Sequence, residues 1–257
     1  MFKNIYQYRE LLKTNVKKDI RGKYKASVLG VLWSFINPLL QVAVYAIVFP
    51  HILGGAQQNY IVYLVTGIIP WTFFQMAVIQ GTTTIKGNAG IIKKVYFPRE
   101  ILPLSVVISG LINFFISCII IIVFCMFFGV GISWHIDFVP FVALIEAILA
   151  LGLGLALGAI NAYVQDTEYI VNFVLTMAFY GSPIVYQIAQ FSNAGLLAKL
   201  INLNPMTKII NAYREIFLYH HVPGLLGLFV VLVIALVVLV IGYAIFKKLE
   251  KGFAEEL

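Results

Sequence analysis

Six apolar stretches, each about 20 residues long or more, constrain this chain more than any other feature. A helix needs about 20 residues to cross the roughly 30 Å hydrocarbon layer of a membrane. Because 61% of the residues are hydrophobic and only 11% are charged, a soluble domain of this size could not bury the apolar surface. The sequence predicts an all-α polytopic membrane protein, in which residues 1–257 form a single domain with six transmembrane helices. The predicted spans are Val28–Phe49, Tyr60–Thr84, Leu104–Phe128, Phe138–Tyr163, Tyr169–Gln187 and Leu225–Phe246.

The positions of the basic residues predict how the chain is oriented in the membrane. Lys and Arg are enriched in loops on the cytoplasmic side. Most of the 18 Lys and Arg residues precede span one, lie between spans two and three, or follow span six, and the opposite side holds only Lys199, Lys208 and Arg214. We therefore expect both termini to be cytoplasmic, and the net charge of +7 to reflect membrane topology rather than nucleic-acid binding. The first span is too long for the core of a signal peptide, so we expect the N-terminal segment to stay on the chain.

Residues 1–25 predict an amphipathic helix that lies along the cytoplasmic membrane surface. Most of the basic residues lie on one side of this helix, where they would meet anionic lipid headgroups. Two roles are open for it, an anchor that fixes the topology or a docking surface for a cytoplasmic partner. The apolar face consists of Phe2, Ile5, Tyr8, Leu12, Val16 and Ile20.

Residues 188–223, between spans five and six, are apolar enough to resemble a seventh span. Asn204, Lys208 and Arg214 would be costly in lipid, and an odd number of spans would place the basic C-terminal tail outside. We predict an outer gate segment of two short re-entrant helices hinged at Asn204-Pro205, shielded from lipid by protein or a water-filled cavity. Span six then covers residues 224–246, and residues 247–257 form a cytoplasmic tail.

The residue types that usually carry catalysis form no recognisable pattern. No Cys or carboxylate lies at metal-ligand spacing from the four histidines, and Cys118 and Cys125 are too far apart on one helix for a disulfide. Gly152, Gly154 and Gly158 lack the Lys-Ser/Thr of a phosphate loop, so the last two are better explained as a small-residue face for helix packing. We expect no catalytic residue, no metal site and no cofactor in this chain, and no hydrolysis of ATP by it.

Glu146 is the one carboxylate well inside a predicted span. An intramembrane acid is a functional candidate because a charge is costly in lipid. Glu146 could snorkel to the membrane surface, stay protonated, or bond to a neighbouring helix. Proton coupling is the functional alternative, and the lack of a partner acid on another span counts against it.

Polar and aromatic residues recur on one face of span one and on one face of span five. Their spacing, i, i+4, i+8 in span one and an arc of roughly 80° in span five, gives each helix a side unsuited to lipid. Two interpretations are open: hydrogen bonds between helices of a packed bundle, or the wall of a conduit where aromatic rings and amides meet sugars. The residues are Trp33, Asn37, Gln41, Tyr45 and Phe49 in span one, and Asn172, Thr176, Tyr180, Pro183 and Gln187 in span five.

In each of two predicted cytoplasmic loops, a side chain is expected to cap the N-terminus of the helix that follows. Asn88 is expected to cap a short helix through Ile91, Ile92, Lys93 and Lys94, which has an apolar and a basic face and ends before Pro98. Asp166 is expected to cap span five, with Glu168 complementing the positive end of its dipole.

Several strings, in order along the whole chain, resemble the membrane subunits of ABC-2 type polysaccharide exporters, the family that exports O-antigen, some capsular glycans and wall teichoic acid. Each string is short, and their order and spacing carry the resemblance. One departure is Gln165, where members of the family usually have Arg before the Asp-Thr pair. The strings are Arg21 to Trp33 (RGKYKASVLGVLW), Asn37-Pro38, Val48-Phe49, Pro70 to Phe74 (PWTFF), Lys93 to Pro98 (KKVYFP), Asp166-Thr167, Ser182 to Tyr186 (SPIVY), Asn204-Pro205 and Tyr213-Arg214.

The resemblance implies that two copies of this chain pair with two cytoplasmic ABC ATPase subunits, which bind ATP and Mg. Together they would enclose a channel in the bacterial plasma membrane for a glycan attached to a polyprenyl diphosphate. It implies that spans one and five line the channel, through Trp33, Asn37, Gln41, Tyr45, Phe49, Asn172, Thr176, Tyr180 and Gln187. It also implies that Asn88, Ile91, Ile92, Lys93, Lys94 and Asp166 couple the chain to the ATPase.

Basic residues near the cytoplasmic surface are candidates for recruiting the diphosphate, because anionic groups are attracted to them. These are Arg21, Lys23, Lys25 and Arg99. The alternatives are an ABC-2 exporter of a small molecule or drug, a membrane-embedded glycosyltransferase or phosphotransferase using Asp166 and Glu168, and a proton-coupled carrier using Glu146. No pattern in the sequence identifies the glycan.

Overall fold

Every regular element is a helix in the part of the chain that the computed structural model describes, residues 6–24, 33–52, 58–187 and 195–256. Short 3₁₀ turns at Trp134–Phe138 and Glu250–Gly252 join some of the helices. The helices are α1 (Arg9–Tyr24), α2 (Trp33–Ile52), α3 (Tyr60–Gly87), α4 (Ala89–Ile92), α5 (Ile101–Phe127), α6 (Val139–Tyr163), α7 (Thr167–Tyr180), α8 (Gly195–Leu203), α9 (Pro205–Phe217), α10 (Leu225–Leu249) and α11 (Phe253–Glu256).

Five of the described helices, α2, α3, α5, α6 and α10, are long and apolar enough to cross a membrane. They overlap predicted spans one to four and span six, and residues 28–32 of predicted span one lie outside the described residues. The predicted helix Tyr169–Gln187 is wrong in its second part, because α7 ends at Tyr180. Proline has no N–H and disfavours helical backbone in the residue before it, so Pro183 ends the helix, and the chain turns through Ser182 to Tyr186. Whether α7 and this turn together cross the membrane stays a prediction.

Helix α3 is the centre of the bundle. Residues on all its sides are buried, and it packs mainly against α5 and α6, with smaller contacts to α2, α7 and α9. A helix that is apolar all round can be buried on every side. By contrast, α2 and α10 bury few of their apolar side chains and expose about half of them, as expected of helices that meet lipid.

Glycines allow three of the spans to approach closely. A Cβ on Gly158 would lie 2.6 Å from the Gly81 carbonyl oxygen, and a Cβ on Gly81 would lie 2.8 Å from the Gly154 Cα, so α6 crosses α3 at backbone contact. On another side of α6, a Cβ on Gly152 would lie 2.7 Å from the backbone nitrogen of Leu239 in α10. A Cβ on Gly242 of α10 would clash with the Gly152 carbonyl oxygen. The predicted small-residue face of Gly154 and Gly158 is confirmed.

Helix α1 packs against α5. The Ser105 hydroxyl donates a hydrogen bond to Asp19 Oδ2 at 3.0 Å. Leu12 and Val16 are half-buried while Lys17 is exposed. Phe2 and Ile5 of the predicted apolar face lie outside the described residues, and the position of α1 at a membrane surface stays a prediction.

The segment between α7 and α10 contains two short helices that meet at Asn204-Pro205, the predicted hinge. Asn204 Oδ1 accepts a hydrogen bond from the Met206 N–H at 3.0 Å, and Pro205 occupies the first turn of α9, where its missing N–H costs nothing. The buried face of α9 packs against α3, α6 and α10. Re-entry of these helices into the membrane stays a prediction.

Candidate functional site

The predicted polar and aromatic face of α2 is largely open. Trp33, Asn37 and Gln41 are exposed, and Tyr45 and Phe49 are half-buried. The face meets α7 at Tyr45, whose ring lies 5.9 Å from the ring of Phe179. Phe179 directly precedes Tyr180 of the predicted face of α7. The structure therefore places Tyr45 of one predicted face beside the helix that carries the other.

The polar side chains of α7 bond to their own helix. Asn172 Nδ2 donates to the Glu168 carbonyl oxygen at 2.7 Å, and the Thr176 hydroxyl donates to the Asn172 carbonyl oxygen at 2.8 Å. Both side chains are exposed, as is Tyr180. These bonds lie within one helix, and the choice between the packed-bundle and conduit interpretations of this face stays a prediction. Gln187 is not on this face, because it lies beyond the end of α7.

A groove of about 280 Å³ runs between α2, α3 and α5. Trp33 and Asn37 line it together with Thr72, Gln80 and Asn113. The last three were missed by sequence reasoning. Thr72 and Gln80 lie eight residues apart in α3, so a search for polar residues at helical spacing in span two could have found them.

We call the end of the bundle at Gly87, the last residue of α3, the basic end. There the loop after α3 forms the four-residue helix α4. Asn88 does not cap it with its side chain, contrary to prediction. Its Nδ2 donates to the Thr84 carbonyl oxygen at 2.7 Å, and its Oδ1 accepts from Lys18 Nζ of α1 at 3.1 Å. The two isoleucines of α4 lie on different sides of it: Ile91 is 49% exposed, and Ile92 is buried against the rest of the protein.

The turn between α6 and α7 lies at the same end. The predicted side-chain cap by Asp166 is wrong, because Asp166 makes no such bond and its side chain is exposed. The Thr167 hydroxyl donates to the Val164 carbonyl oxygen at 2.7 Å instead. Gln165, at the position where the family usually has Arg, accepts a hydrogen bond from Lys86 Nζ at 3.2 Å and so links the turn to α3.

The C-terminal tail docks on the basic end. Arg99 Nη1 donates to the Glu250 carbonyl oxygen, and its guanidinium lies 5.8 Å from the centre of the buried Phe253 ring. Lys247 Nζ lies 3.0 Å from Oε2 of the fully buried Glu100 and 2.9 Å from Glu250 Oε1. Arg99 is thus engaged within the chain.

The other predicted diphosphate-recruiting residues lie near α1. Arg21 is exposed on this helix. The side chain of Lys23 and the whole of Lys25 lie outside the described residues. Lys93 and Lys94 are exposed after α4 and extend the basic surface of this end.

The other end of the bundle is organised by Arg214 of α9, which is only 2% exposed. Arg214 Nη1 donates to the Pro183 carbonyl oxygen at 2.7 Å and Nη2 donates to the Ile184 carbonyl oxygen at 3.0 Å. The guanidinium stacks 3.5 Å over the ring of Tyr63, whose hydroxyl donates to the Tyr186 carbonyl oxygen at 2.8 Å. These contacts fix the turn after α7 to α3 and α9.

Glu146 is fully buried, and its Oε2 accepts a hydrogen bond from the Tyr213 hydroxyl at 2.9 Å. Of the structural roles left open for Glu146, the structure shows the hydrogen bond to a neighbouring helix. Within the described ranges no three His, Cys, Asp or Glu side chains are grouped so that they could hold a metal ion.

Comparison with known proteins gives a consistent set of relatives. Residues 10–218 match the ABC-2 type transporter family. The chain is 32% identical over 257 residues to the O-antigen export system permease protein RfbA of Myxococcus xanthus, with 100% of this chain and 99% of that protein covered. It is 31% identical over 253 residues to a protein of the same name from Klebsiella pneumoniae, with 96% and 95% covered.

Proposed function

Because the chain belongs to the ABC-2 type transporter family, we propose that it is the membrane-spanning permease subunit of an ABC exporter for a lipid-linked cell-surface polysaccharide. The observation that carries the proposal is similarity along the full length to permeases named for O-antigen export. Similarity of this extent includes the loops at the basic end and the segment around Arg214, as well as the apolar spans.

The exposed faces of α2 and α7 support a conduit between two copies of the chain. Exposed amides and hydroxyls are costly against lipid tails, so Asn37, Gln41 and Thr176 are better placed beside water or sugar. A second copy facing the first would enclose these side chains together with Tyr45 and Tyr180. Aromatic rings pack on the apolar faces of sugars, and amides and hydroxyls bond to sugar hydroxyls, so such a lining suits a glycan that must slide.

The basic end supports docking of two cytoplasmic ATPase subunits that bind ATP and Mg. Ile91 offers an exposed apolar contact, flanked by Lys93 and Lys94. Asn88 ties this loop to α1, and Lys86 ties it to the turn that carries Asp166 through Gln165. Movement of an ATPase docked on this loop would therefore be passed to α1, to α3 and to the turn between α6 and α7.

The same end would face the polyprenyl diphosphate if both termini are cytoplasmic and the protein lies in the bacterial plasma membrane. Arg21, Lys23 and Lys25 would attract the diphosphate. Arg99, held by the tail, would contribute through the field of its charge and not by direct contact.

Co-purification with the ATPase encoded beside this chain tests the proposal. We expect a stable complex whose ATP turnover in lipid nanodiscs rises when the host's polyprenyl-linked polysaccharide is added. Ile91→Asp should abolish the complex, whereas Ile132→Asp, a matched isoleucine 51% exposed in the loop after α5, should leave it intact.

Failure of any ATPase to bind would overturn the proposal and favour the transferase with Asp166 and Glu168, or the carrier with Glu146. Turnover that responds to a small molecule and not to the glycan would favour the drug exporter.

A further inference from the structure

A cavity of about 410 Å³, lined mainly by residues with a polar group, lies beside Arg214, at the end of the bundle opposite the basic end. Its volume falls in the range of small-molecule sites, roughly 300–1,000 Å³. The start of α3, the turn after α7, α9 and the segment after α9 all contribute to its wall. The lining residues are Tyr63, Pro183, Gln187, Asn211, Arg214, Glu215, Tyr219 and His221.

Arg214 gives the cavity a buried donor. Its side chain forms no ion pair with a carboxylate among the described residues, and backbone carbonyl groups accept most of its hydrogen bonds. The Nε–H is buried and has no acceptor in the described part of the chain. A buried polar group without a partner is costly, so a ligand oxygen that reached Nε would be stabilised.

The rest of the lining supplies acceptors and an aromatic surface. Glu215 offers carboxylate oxygens, one of which already accepts from the Gly224 N–H at 2.8 Å. Asn211 Oδ1 accepts from Arg214 Nη1 at 3.4 Å, so Asn211 offers its Nδ2 as a donor. Tyr219 is 49% exposed, so its ring is open to contact. A carboxylate in the wall disfavours an anionic ligand, whereas a ligand with several hydroxyl groups uses donors and acceptors equally.

We infer that this cavity is a binding site for a neutral saccharide, one or a few sugar units of the glycan on the exit side of the membrane. Arg214 and Asn211 would donate to sugar oxygens, Glu215 would accept from hydroxyl groups, and Tyr219 would pack against a sugar ring. The inference rests on the proposed function and extends it, because it adds a contact for the glycan outside the conduit.

Binding to the full chain in lipid nanodiscs tests the inference. The probe is a set of neutral oligosaccharides released by mild acid from the host's exported polysaccharide, with inorganic sulfate as the anionic comparison. We expect saturable saccharide binding in titration calorimetry and none of sulfate. Asn211→Ala should weaken the saccharide Kd by about fivefold or more, because a hydrogen bond is lost.

Matched variants separate binding from folding. Asn202→Ala removes an exposed asparagine of α8 that does not line the cavity and should change the Kd by less than about twofold. Tyr219→Phe keeps the ring and should bind, whereas Tyr219→Ala should not. The inference is overturned if the native chain does not bind the saccharides, if sulfate binds in their place, or if Asn202→Ala weakens binding as much as Asn211→Ala.

The saccharide-binding experiment can fail or succeed independently of the ATPase experiment that tests the proposed function. If the ATPase co-purifies and glycan stimulates its turnover while the cavity binds no saccharide, only the inference fails. If no ATPase binds, the exporter proposal fails whatever the cavity binds.

Discussion

The hydrogen bond between Tyr213 and Glu146 joins two fully buried side chains on α9 and α6. Tyr213→Phe removes the donor and leaves a buried carboxyl group without it. We expect a loss of about 1–3 kcal/mol in unfolding free energy, seen as a lower Tm of the detergent-solubilised protein. Tyr219→Phe, at an exposed tyrosine, is the control and should leave the Tm unchanged.

Glu146→Gln distinguishes the structural role of this carboxyl group from proton coupling. The amide oxygen still accepts from the Tyr213 hydroxyl, so we expect nearly normal stability and glycan export. Loss of export with a normal Tm would contradict the structural role and restore the carrier hypothesis. Export is measured as surface polysaccharide in cells that lack the native gene.

Sequence reasoning found Glu146 and anticipated its hydrogen bond, yet it did not find the role of Arg214. A single acid in an apolar span is visible in a sequence. An arginine in a loop between two spans draws attention only when the structure shows that it is buried and donates to the Pro183 and Ile184 carbonyl groups. The side-chain cap by Asn88 was predicted wrongly for a related reason, because its amide bonds instead to Thr84 and to the distant Lys18.

At the scale of the helices, the contact of Gly242 in α10 with Gly152 in α6 leaves no room for a side chain. Gly242→Ala should overpack this crossing and cost about 1–3 kcal/mol of stability, measured by thermal unfolding. A Cβ on Gly227 of the same helix would have open space around it, because its nearest neighbour would be Lys208 Cδ at 4.0 Å. Gly227→Ala should therefore be neutral or gain up to about 1 kcal/mol of helix propensity, and equal losses in both variants would contradict the packing role.

The tail provides a second prediction at this scale. Phe253 is fully buried against Phe246 and Tyr163, with ring centres 5.6 and 6.3 Å away, and α11 contacts α4. Phe253→Ala should release the tail, because the loss of a buried aromatic ring costs about 3–5 kcal/mol. We expect faster tryptic cleavage after Lys247 and Lys251, together with weaker stimulation of the ATPase by glycan.

Glu255→Ala is the control for the tail, because Glu255 is exposed on α11. It should show native cleavage and native stimulation. Cleavage of Phe253→Ala at the native rate would show that the ring does not hold the tail in place.

The sequence predicts the helices better than their partners. Spacing alone shows that Gly154 and Gly158 share a face, but not that this face meets Gly81 of α3. Hydropathy also joins α7 and the turn after it into one apolar stretch, because it reads only the residue types. Pro183 and Ile184 are buried in that turn without being helical, and hydropathy cannot show this difference. Long-range contacts of this kind are not encoded in local periodicity.

For the whole molecule, the proposed conduit requires two copies with their α7 helices facing each other. Thr176→Cys places a thiol on the exposed polar face of α7 with little change in size. We expect bifunctional thiol reagents to link two chains through it in native membranes. The native Cys118 and Cys125 are buried and should not compete.

Val240→Cys is the matched control, because Val240 is 67% exposed on α10, away from the predicted conduit. It should give monomers with every length of reagent. Linked chains from Val240→Cys and none from Thr176→Cys would contradict the proposed arrangement and place the second copy against α10.

The glycine crossings also have a mechanical consequence. With backbone touching backbone, α3, α6 and α10 behave as a stiff frame, whereas α2 and α7 attach to it through side chains such as Phe179 and Trp71, with ring centres 5.8 Å apart. If an ATPase docks at the basic end as proposed, we expect its movement to displace α2 and α7, which are held by side-chain contacts, more than the tightly packed centre. The proposed conduit would then open and close by movement of its own walls.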